Sequence, residues 1–392
     1  MAASEARPDQ PSLPWRMASA AIMSLTGAIS RAFLHGLNDV QTEGLPQFLE
    51  VLDKRRADVP QRGLITGTVT SSHFFMYPST NEAMADCFSC RLQSQTTLAS
   101  NASRTHSLDD PLIWGALPLK YNSVPSSARW GLGAHDICFK NGFFKSFFSL
   151  GQVLPTYRMP HSPNGGLFQP TMVQAIRLVS GPGALFPLKT AFRAGNNEVF
   201  ASPAYYRNNH NAWVHVFPEG CVHQHPQRTL RYFKWGVSRL ILESDPAPQL
   251  VPIFIDGFSN IMPEDRHWPR WAPRIGAKIR VIYGEALEVG DAFKEQRSRW
   301  KRMVQKEEEA LGKRLDAGEI PESLKDHPEA IQLRIEVAKT VRDMVQELRL
   351  RAGYPQDDPA FALAETWERD SKKKQYKSPV DDDDSPRRQC AT

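Results

Sequence analysis

No uninterrupted apolar run in these 392 residues reaches the ~20 that span a bilayer, so the sequence by itself demands no transmembrane helix. The nearest approach is residues 17–29, bounded by Arg16 and Arg31, with the apolar core Met17-Ala18-Ser19-Ala20-Ala21-Ile22-Met23-Ser24-Leu25. Such a segment is either a buried first helix or an interfacial one, with polar ends and Trp15 near the head groups. Cysteine is scarce: five residues, Cys87, Cys90, Cys138, Cys221 and Cys390. An odd count without a regular framework argues against a disulfide scaffold. Cys87 and Cys90 make one C-x-x-C, but no second pair and no His pair stands at zinc-binding spacing, so no metal is expected. The local cluster His210, His215, His223 and His225 reads as structural or exposed. Net charge is small, +5 from 48 basic and 43 acidic residues. That balance suits an anionic membrane surface without requiring one. No basic stripe interleaved with aromatics is present, so nucleic acid is not an expected partner. The chain has no G-x-S-x-G elbow, which disfavours a serine-nucleophile lipase. The first 14 residues carry Glu5 and Asp9 and make a poor mitochondrial presequence.

At 41% hydrophobic the chain can bury a sizeable core, and its length fits one large domain with appendages better than two equal domains. Residues 1–14, rich in Pro and Ala, are expected to be disordered. Residues 15–37 read as a helix ended by Gly36. Residues 45–56 read as a short amphipathic helix with Leu45, Phe48, Leu49 and Leu52 on one face. Strand-like runs follow at 64–66, 213–217, 251–255 and 279–283. Separated by helical stretches, they predict an α/β domain over 40–290 with a mixed, mostly parallel sheet wrapped by helices. Within it, residues 67–103 are Ser- and Thr-rich and keep no period. They are expected to be an irregular insertion, either translated intron sequence or a surface loop. Phe139, Phe143, Phe144, Phe147 and Phe148 fall on one helical face. Core packing is the commoner role of such a stripe; lining an acyl channel or pressing on lipid is the alternative. Residues 291–352 are expected to form a C-terminal helical extension of two helical stretches, near 292–315 and 328–351, the second with Ile331, Ile335, Ala338, Val341, Val345 and Leu348 at helical spacing, free to pack on the core or on an oligomer partner. The charged tail 366–392 is expected to be disordered.

The stretch that carries most chemistry is Trp213-Val214-His215-Val216-Phe217-Pro218-Glu219-Gly220. A short buried strand ends where Pro218 cannot donate to a ladder. Gly220 permits a tight turn. Glu219 is thereby held on an elbow at a strand end, where α/β enzymes place ligand-binding groups; a carboxylate capping a turn is the bland reading. Three further blocks stand around it in order: Ser107-Leu108-Asp109-Asp110-Pro111-Leu112-Ile113-Trp114-Gly115, then Ser149 to Arg158, and Leu250-Val251-Pro252-Ile253. In this order and spacing they resemble the glycerolipid acyltransferase family, over roughly residues 15–290. Trp130, the run Ala134-His135-Asp136-Ile137-Cys138-Phe139 and the run Arg231-Tyr232-Phe233-Lys234-Trp235-Gly236 are similar to its mitochondrial, cardiolipin-remodelling branch rather than to the family at large.

The resemblance implies a CoA-independent transacylase that moves acyl chains from phospholipid to lysocardiolipin. It would sit at the surface of mitochondrial membranes, inner and outer, on the intermembrane-space side, without spanning them and with no cofactor. Two alternatives stand beside it: an acyl-CoA-dependent lysophospholipid acyltransferase, and a catalytically silent membrane-associated homologue. The family uses a His as base, with an Asp five residues later that orients it, and the acceptor lipid's own hydroxyl as nucleophile. Asp109 matches that Asp, but the residue five before it is Arg104. His106 stands three before Asp109 and four before Asp110, so it could pair with Asp110 on a helix. Its imidazole would still emerge off the family's place, and a 1 Å misplacement costs about 100-fold in rate. His106 is thus the candidate base or a solvated loop residue, and His73 is a weaker candidate. Arg158 matches the family's glycerol-phosphate grip, for which a planar guanidinium is suited. Phe217, Pro218, Glu219 and Gly220 would complete that pocket, with Glu219 orienting a glycerol hydroxyl or a basic side chain. Pro252 would line the acyl path.

Overall fold

The computed structural model describes residues 8–57, 62–70, 109–158, 162–184, 189–220, 227–263 and 272–367. In chain order the elements are α1 (Leu13–Leu37), β1 (Asp39–Glu43), α2 (Leu45–Ala57), β2 (Leu64–Thr70), α3 (Asp109–Gly115), β3 (Trp130–Ala134), α4 (His135–Cys138), α5 (Gly142–Leu150), β4 (Val153–Thr156), α6 (Pro170–Val179), β5 (Ala191–Arg193), β6 (Val199–Ala201), β7 (Trp213–Val216), α7 (Gly236–Glu243), β8 (Gln249–Asp256), α8 (Phe258–Ile261), β9 (Lys278–Tyr283), β10 (Leu287–Glu288), α9 (Val289–Ala292), α10 (Lys294–Leu311), α11 (Glu322–Lys325) and α12 (Pro328–Arg351).

The sheet runs β1-β9-β8-β2-β7-β3-β4, with β10 also paired to β8. The pairs β1/β9, β8/β2, β2/β7, β7/β3 and β3/β4 are parallel. The β8/β9 and β8/β10 pairs are antiparallel. This is the mixed, mostly parallel sheet expected from the strand-like runs. Its central strands are apolar at consecutive positions because helices cover both faces. Ile65, Val69, Val214, Val216, Leu250 and Phe254 point to one layer, with α6, α7, α10 and α12. Leu64, Trp213, Val251, Ile253 and Ile255 point to the other, with residues of α1, α2 and α3.

Four boundaries differ from the sequence expectation. Strand β2 runs four residues past Thr66, with Gly67, Thr68, Val69 and Thr70 paired to Pro252, Ile253, Phe254 and Ile255. A partner strand supplies the pattern that Gly67–Thr70 lack on their own; residues 71–103 lie outside the described residues. Helix α1 begins at Leu13, and the carbonyls of Pro8 and Asp9 accept from the amides of Arg207 and Asn208, so 8–14 are not a loose leader. The helices after residue 290 are no appendage. Val337, Val341 and Val345 of α12 belong to the same core as Ile65 and Val214 of the sheet. Trp367, at the start of the expected tail, is buried.

Helix α1 is, by length and composition, long and apolar enough to cross a membrane. The sequence expectation that nothing reaches this limit therefore does not hold for the folded helix, which runs on through the polar breaks and through Gly36. It lies docked along its length. Ser19 Oγ donates to the Leu150 carbonyl at 2.6 Å. A Cβ added at Gly115 would meet the Ser30 backbone at 2.6 Å, so α3 and α1 touch backbone to backbone. Its buried residues are Ser19, Met23, Gly27, Ser30 and Leu34. The outward positions are Leu13, Met17, Ala21, Leu25 and Ile29. The face toward the protein mixes small residues, Ser19, Gly27 and Ser30, with Met23 and Leu34, while the opposite face also carries large apolar side chains, with Met17 65% and Leu25 62% exposed.

Candidate active site

Arg158 and the run Phe217–Gly220 sit beyond the C-terminal ends of parallel strands β4 and β7, where open α/β sheets bind ligands. After β7, Pro218 stops the ladder and Gly220 takes φ +63°, a left-handed value that an L side chain resists. Its amide donates to the Phe217 carbonyl at 3.0 Å, and the Lys234 amide donates to the Pro218 carbonyl at 2.7 Å. The elbow is therefore as the sequence foresaw. Glu219 on it is 1% exposed, and its Oε1 accepts from the Arg231 amide at 2.8 Å. Burial pushes this carboxyl up to about 7, against the opposing pull of that amide and of the Arg231 and Arg342 charges. This oxygen pins main chain, and the Arg231 and Arg342 charges also face the carboxyl.

Two residues before it, Phe217 turns its ring edge to His215, with centroids 4.8 Å apart, and Trp114 lies 4.7 Å from His215 in the same edge-on manner. His215 Nδ1 lies 2.9 Å from Thr66 Oγ1, and its Nε2 is buried without a hydrogen-bond partner. Burial, helped by the Arg129 charge, holds this His well below the usual imidazole range, so it is neutral. That fits the structural reading. His210 is likewise buried, whereas His223 and His225 lie outside the described residues, as do Cys87 and Cys90. Among the described residues no cluster of potential metal ligands forms.

Phe217 and Trp114 form part of the wall of an apolar cleft enclosing about 880 Å³ of empty space, its open mouth included. Ile22, Met23 and Gly27 of α1, Phe147 and Phe148 of α5, and Leu132 and Val153 of the sheet complete most of it. The phenylalanine stripe is thus divided: Phe139 packs in a core cluster, while Phe147 and Phe148 line the cleft. Asn141 caps α5 by accepting from the Phe144 amide and separates Phe139, which is buried, from the other four. Helix α5 itself has no buried residue, and Phe143 is 74% exposed.

Beyond the next two strands lies a polar pocket, lined by His135, Asp136, Tyr157, Arg158, Ser162 and Asn196. The parallel register pairs Ala134 with Thr156, so the residues that follow each strand end meet. Arg158 Nε donates to Asp136 Oδ1 at 3.1 Å, and a second N–H of the fork donates to Oδ2. His135 Nε2 lies 2.8 Å from Glu198 Oε2, and Lys145 Nζ donates to Glu198 Oε1 at 2.6 Å. Burial alone would raise the Glu198 carboxyl, but its Lys145 and His135 partners outweigh it and hold it low. Tyr157 stacks on His135 at 4.4 Å. Burial, with the Glu198 charge, pushes its hydroxyl up to about 12.

The sequence candidates fall into separate places. Arg158 lines the polar pocket and Phe217 the apolar cleft, whereas Glu219 and Pro252 line neither. Asp109 opens α3, the helix that brings Trp114 to the cleft, and His106 lies outside the described residues. Pro252 is buried in the middle of β8, opposite Gly67. Its carbonyl accepts from the Gly284 amide at 2.9 Å, at the break between β9 and β10. Asp136, Glu198, Tyr157 and Trp114 carried no role in the sequence reading. Asp136, Tyr157 and Trp114 stand inside runs that carry the resemblance, whereas nothing in the sequence marks Glu198.

No family model matches the chain. It is 32% identical over 365 residues to the tafazzin of Saccharomyces cerevisiae, covering 91% of this chain and 84% of that protein. The protein named taffazin in Dictyostelium discoideum is 32% identical over 199 residues, 50% of this chain and 56% of its own length. The N-acylphosphatidylethanolamine synthase of Arabidopsis thaliana is 31% identical over 193 residues, 49% and 56% of the two chains. With the sequence blocks in order and this identity to the yeast tafazzin over most of both chains, the chain belongs to the tafazzin family, a family of acyltransferases.

Proposed function

We propose that this acyltransferase works without CoA, moving an acyl chain from a phospholipid to lysocardiolipin at the surface of mitochondrial membranes. The observation that carries the reading is the apolar cleft between α1 and α5. The same two helices present exposed large apolar side chains outward, Met17, Leu25 and Ile29 on one and Phe143 on the other. An acyl chain entering from a bilayer would meet apolar surface all the way in. Docking of α1 along α3 and α5 supports an in-plane rather than a spanning helix. The polar pocket gives Arg158 a place for the lipid phosphate, beside the cleft for its chain. His106 would take the acceptor hydroxyl's proton, oriented by Asp109.

The direct test is acyl exchange between labelled phosphatidylcholine and lysocardiolipin in detergent or vesicles, with CoA absent. Exchange in its absence supports the proposal. Exchange only with added acyl-CoA would establish the CoA-dependent alternative, and none under either condition the silent one. For membrane docking, Leu25→Asp is expected to weaken binding to cardiolipin-containing phosphatidylcholine vesicles about 10- to 100-fold. It forfeits the ~1.5–3 kcal/mol of burying a large apolar side chain. Flotation of the variant at wild-type levels would remove α1 from the interface.

A further inference from the structure

Glu219 does not hold its place alone. Its partner, the Arg231 amide, belongs to a segment gripped from the far end of the chain. Arg342 Nε donates to the Arg231 carbonyl at 3.0 Å, and its Nη2 donates to the Leu230 carbonyl at 2.9 Å. Asp357 Oδ2 accepts from the Leu230 amide at 2.9 Å and lies 3.2 Å from Arg342 Nη2. Arg349 donates to the Arg228 and Gln227 carbonyls and pairs with Asp357 at 3.1 Å. The Arg231 guanidinium lies 4.7 Å from the centre of the Trp367 ring. Arg342, Arg349, Asp357 and Glu219 are each nine-tenths or more buried. Burying two arginines to bond main-chain carbonyls is expensive if geometry is all that is needed, since apolar packing of the same shape often serves as well.

We infer that Arg342 is a positioning residue for the acyl-transfer site, acting through residues 230–231 on Glu219 and so on the elbow that presents Phe217 to the cleft. Helix α12 and the strap after it thereby become part of the enzyme's working end. The inference rests on the proposed function only in taking the cleft as the acyl site. The chain of contacts runs from Arg342 to the two carbonyls, from the Arg231 amide to Glu219, and from Glu219 along the elbow.

The charged groups that face Glu219 are Arg231, Arg342 and Asp357. With the folded carboxyl near 7 and the unfolded one near 4.3, the folded state binds the extra proton between these values. Stability therefore falls as pH rises through that window and levels off above it. Arg342 favours the carboxylate, so removing it moves the upper limit of the window higher.

The test compares wild type, Arg342→Gln and Arg342→Lys of the full chain, each also in a Glu219→Gln background. Three quantities are followed: amide exchange of the peptide over 227–234, the pH dependence of melting, and the pH–rate profile of acyl exchange. Arg342→Gln is expected to speed amide exchange in 227–234 at least tenfold while the β8 peptide keeps its protection. Its melting and rate midpoints should move upward by roughly one pH unit, with the loss falling on kcat more than on KM. Arg342→Lys, which keeps charge but not the fork, should restore the midpoints and only part of the protection. In the Glu219→Gln background the midpoint shift should vanish, which separates it from titration of Asp357. If Arg342→Gln does not fold, Arg342→Lys against wild type carries the test, with loss of protection at an unchanged midpoint expected. A lower melting temperature with unchanged 227–234 protection and unchanged midpoints would overturn the inference. If the unmutated chain transfers no acyl group, the proposed function fails, while the exchange and melting measurements still decide the role of Arg342.

Discussion

His106→Ala is expected to lower acyl exchange by ~10²–10⁴-fold, the usual worth of a general base, with lipid binding unchanged. The acceptor hydroxyl is a poor nucleophile until its proton is taken. Asp109 opens the helix whose Trp114 forms part of the cleft wall, roughly 7.5 Å of helix rise away, so a base beside Asp109 would act near the cleft. Arg104 occupies the register where the family carries its His, which makes the complementary experiment informative. If His106→Ala leaves exchange intact, His106 is a bystander. If the unmutated chain is inactive but Arg104→His creates exchange, this chain as written has lost its base and keeps the rest of the site.

Arg158→Ala should lower kcat/KM by about 100-fold, mostly through KM, measured by varying lysolipid in the same assay. A bidentate guanidinium–phosphate contact is worth ~3 kcal/mol, which corresponds to a factor of that size. The structure adds a condition to this expectation. In the free site the Nε–Nη2 edge of Arg158 is already taken by Asp136, so a phosphate bound at that edge displaces a carboxylate. Asp136→Asn should accordingly lower KM for lipid, and the double variant should be no worse than Arg158→Ala alone. Arg158→Lys should fall between, keeping the charge without the fork. A lower melting temperature with KM untouched would mark the pair as a structural tie between the ends of β3 and β4.

The central strands, the elbow at Phe217–Gly220 and the long helix over 328–351 were legible in the sequence because each is decided locally. Alternating or continuous apolar residues set a strand, Pro218 and Gly220 set the turn, and a repeat of 3.6 sets a helix. The membership of the acyltransferase family was legible for the same reason, since its blocks are short and contiguous. Periodicity shows that a face is apolar but not what covers it. Hence α1 and α5 gave correct helices and an undecided environment. Folding showed that α1 packs on the protein through Ser19, Met23, Gly27, Ser30 and Leu34 while Met17, Leu25 and Ile29 face out, and that Phe147 and Phe148 of α5 border a cleft. Partners distant in sequence were equally out of reach. Asp136 with Arg158, Glu198 with His135, and Arg342 with the carbonyls of 230–231 are side chains that no spacing rule connects. Parallel strand register joins the first pair, a β-hairpin folded over the site the second, and the packing of α12 against the sheet the third. The chemistry of each group was therefore written in the chain, and what each group bonds to was settled only by tertiary packing, because a buried charge takes whichever partner the fold brings within hydrogen-bonding distance.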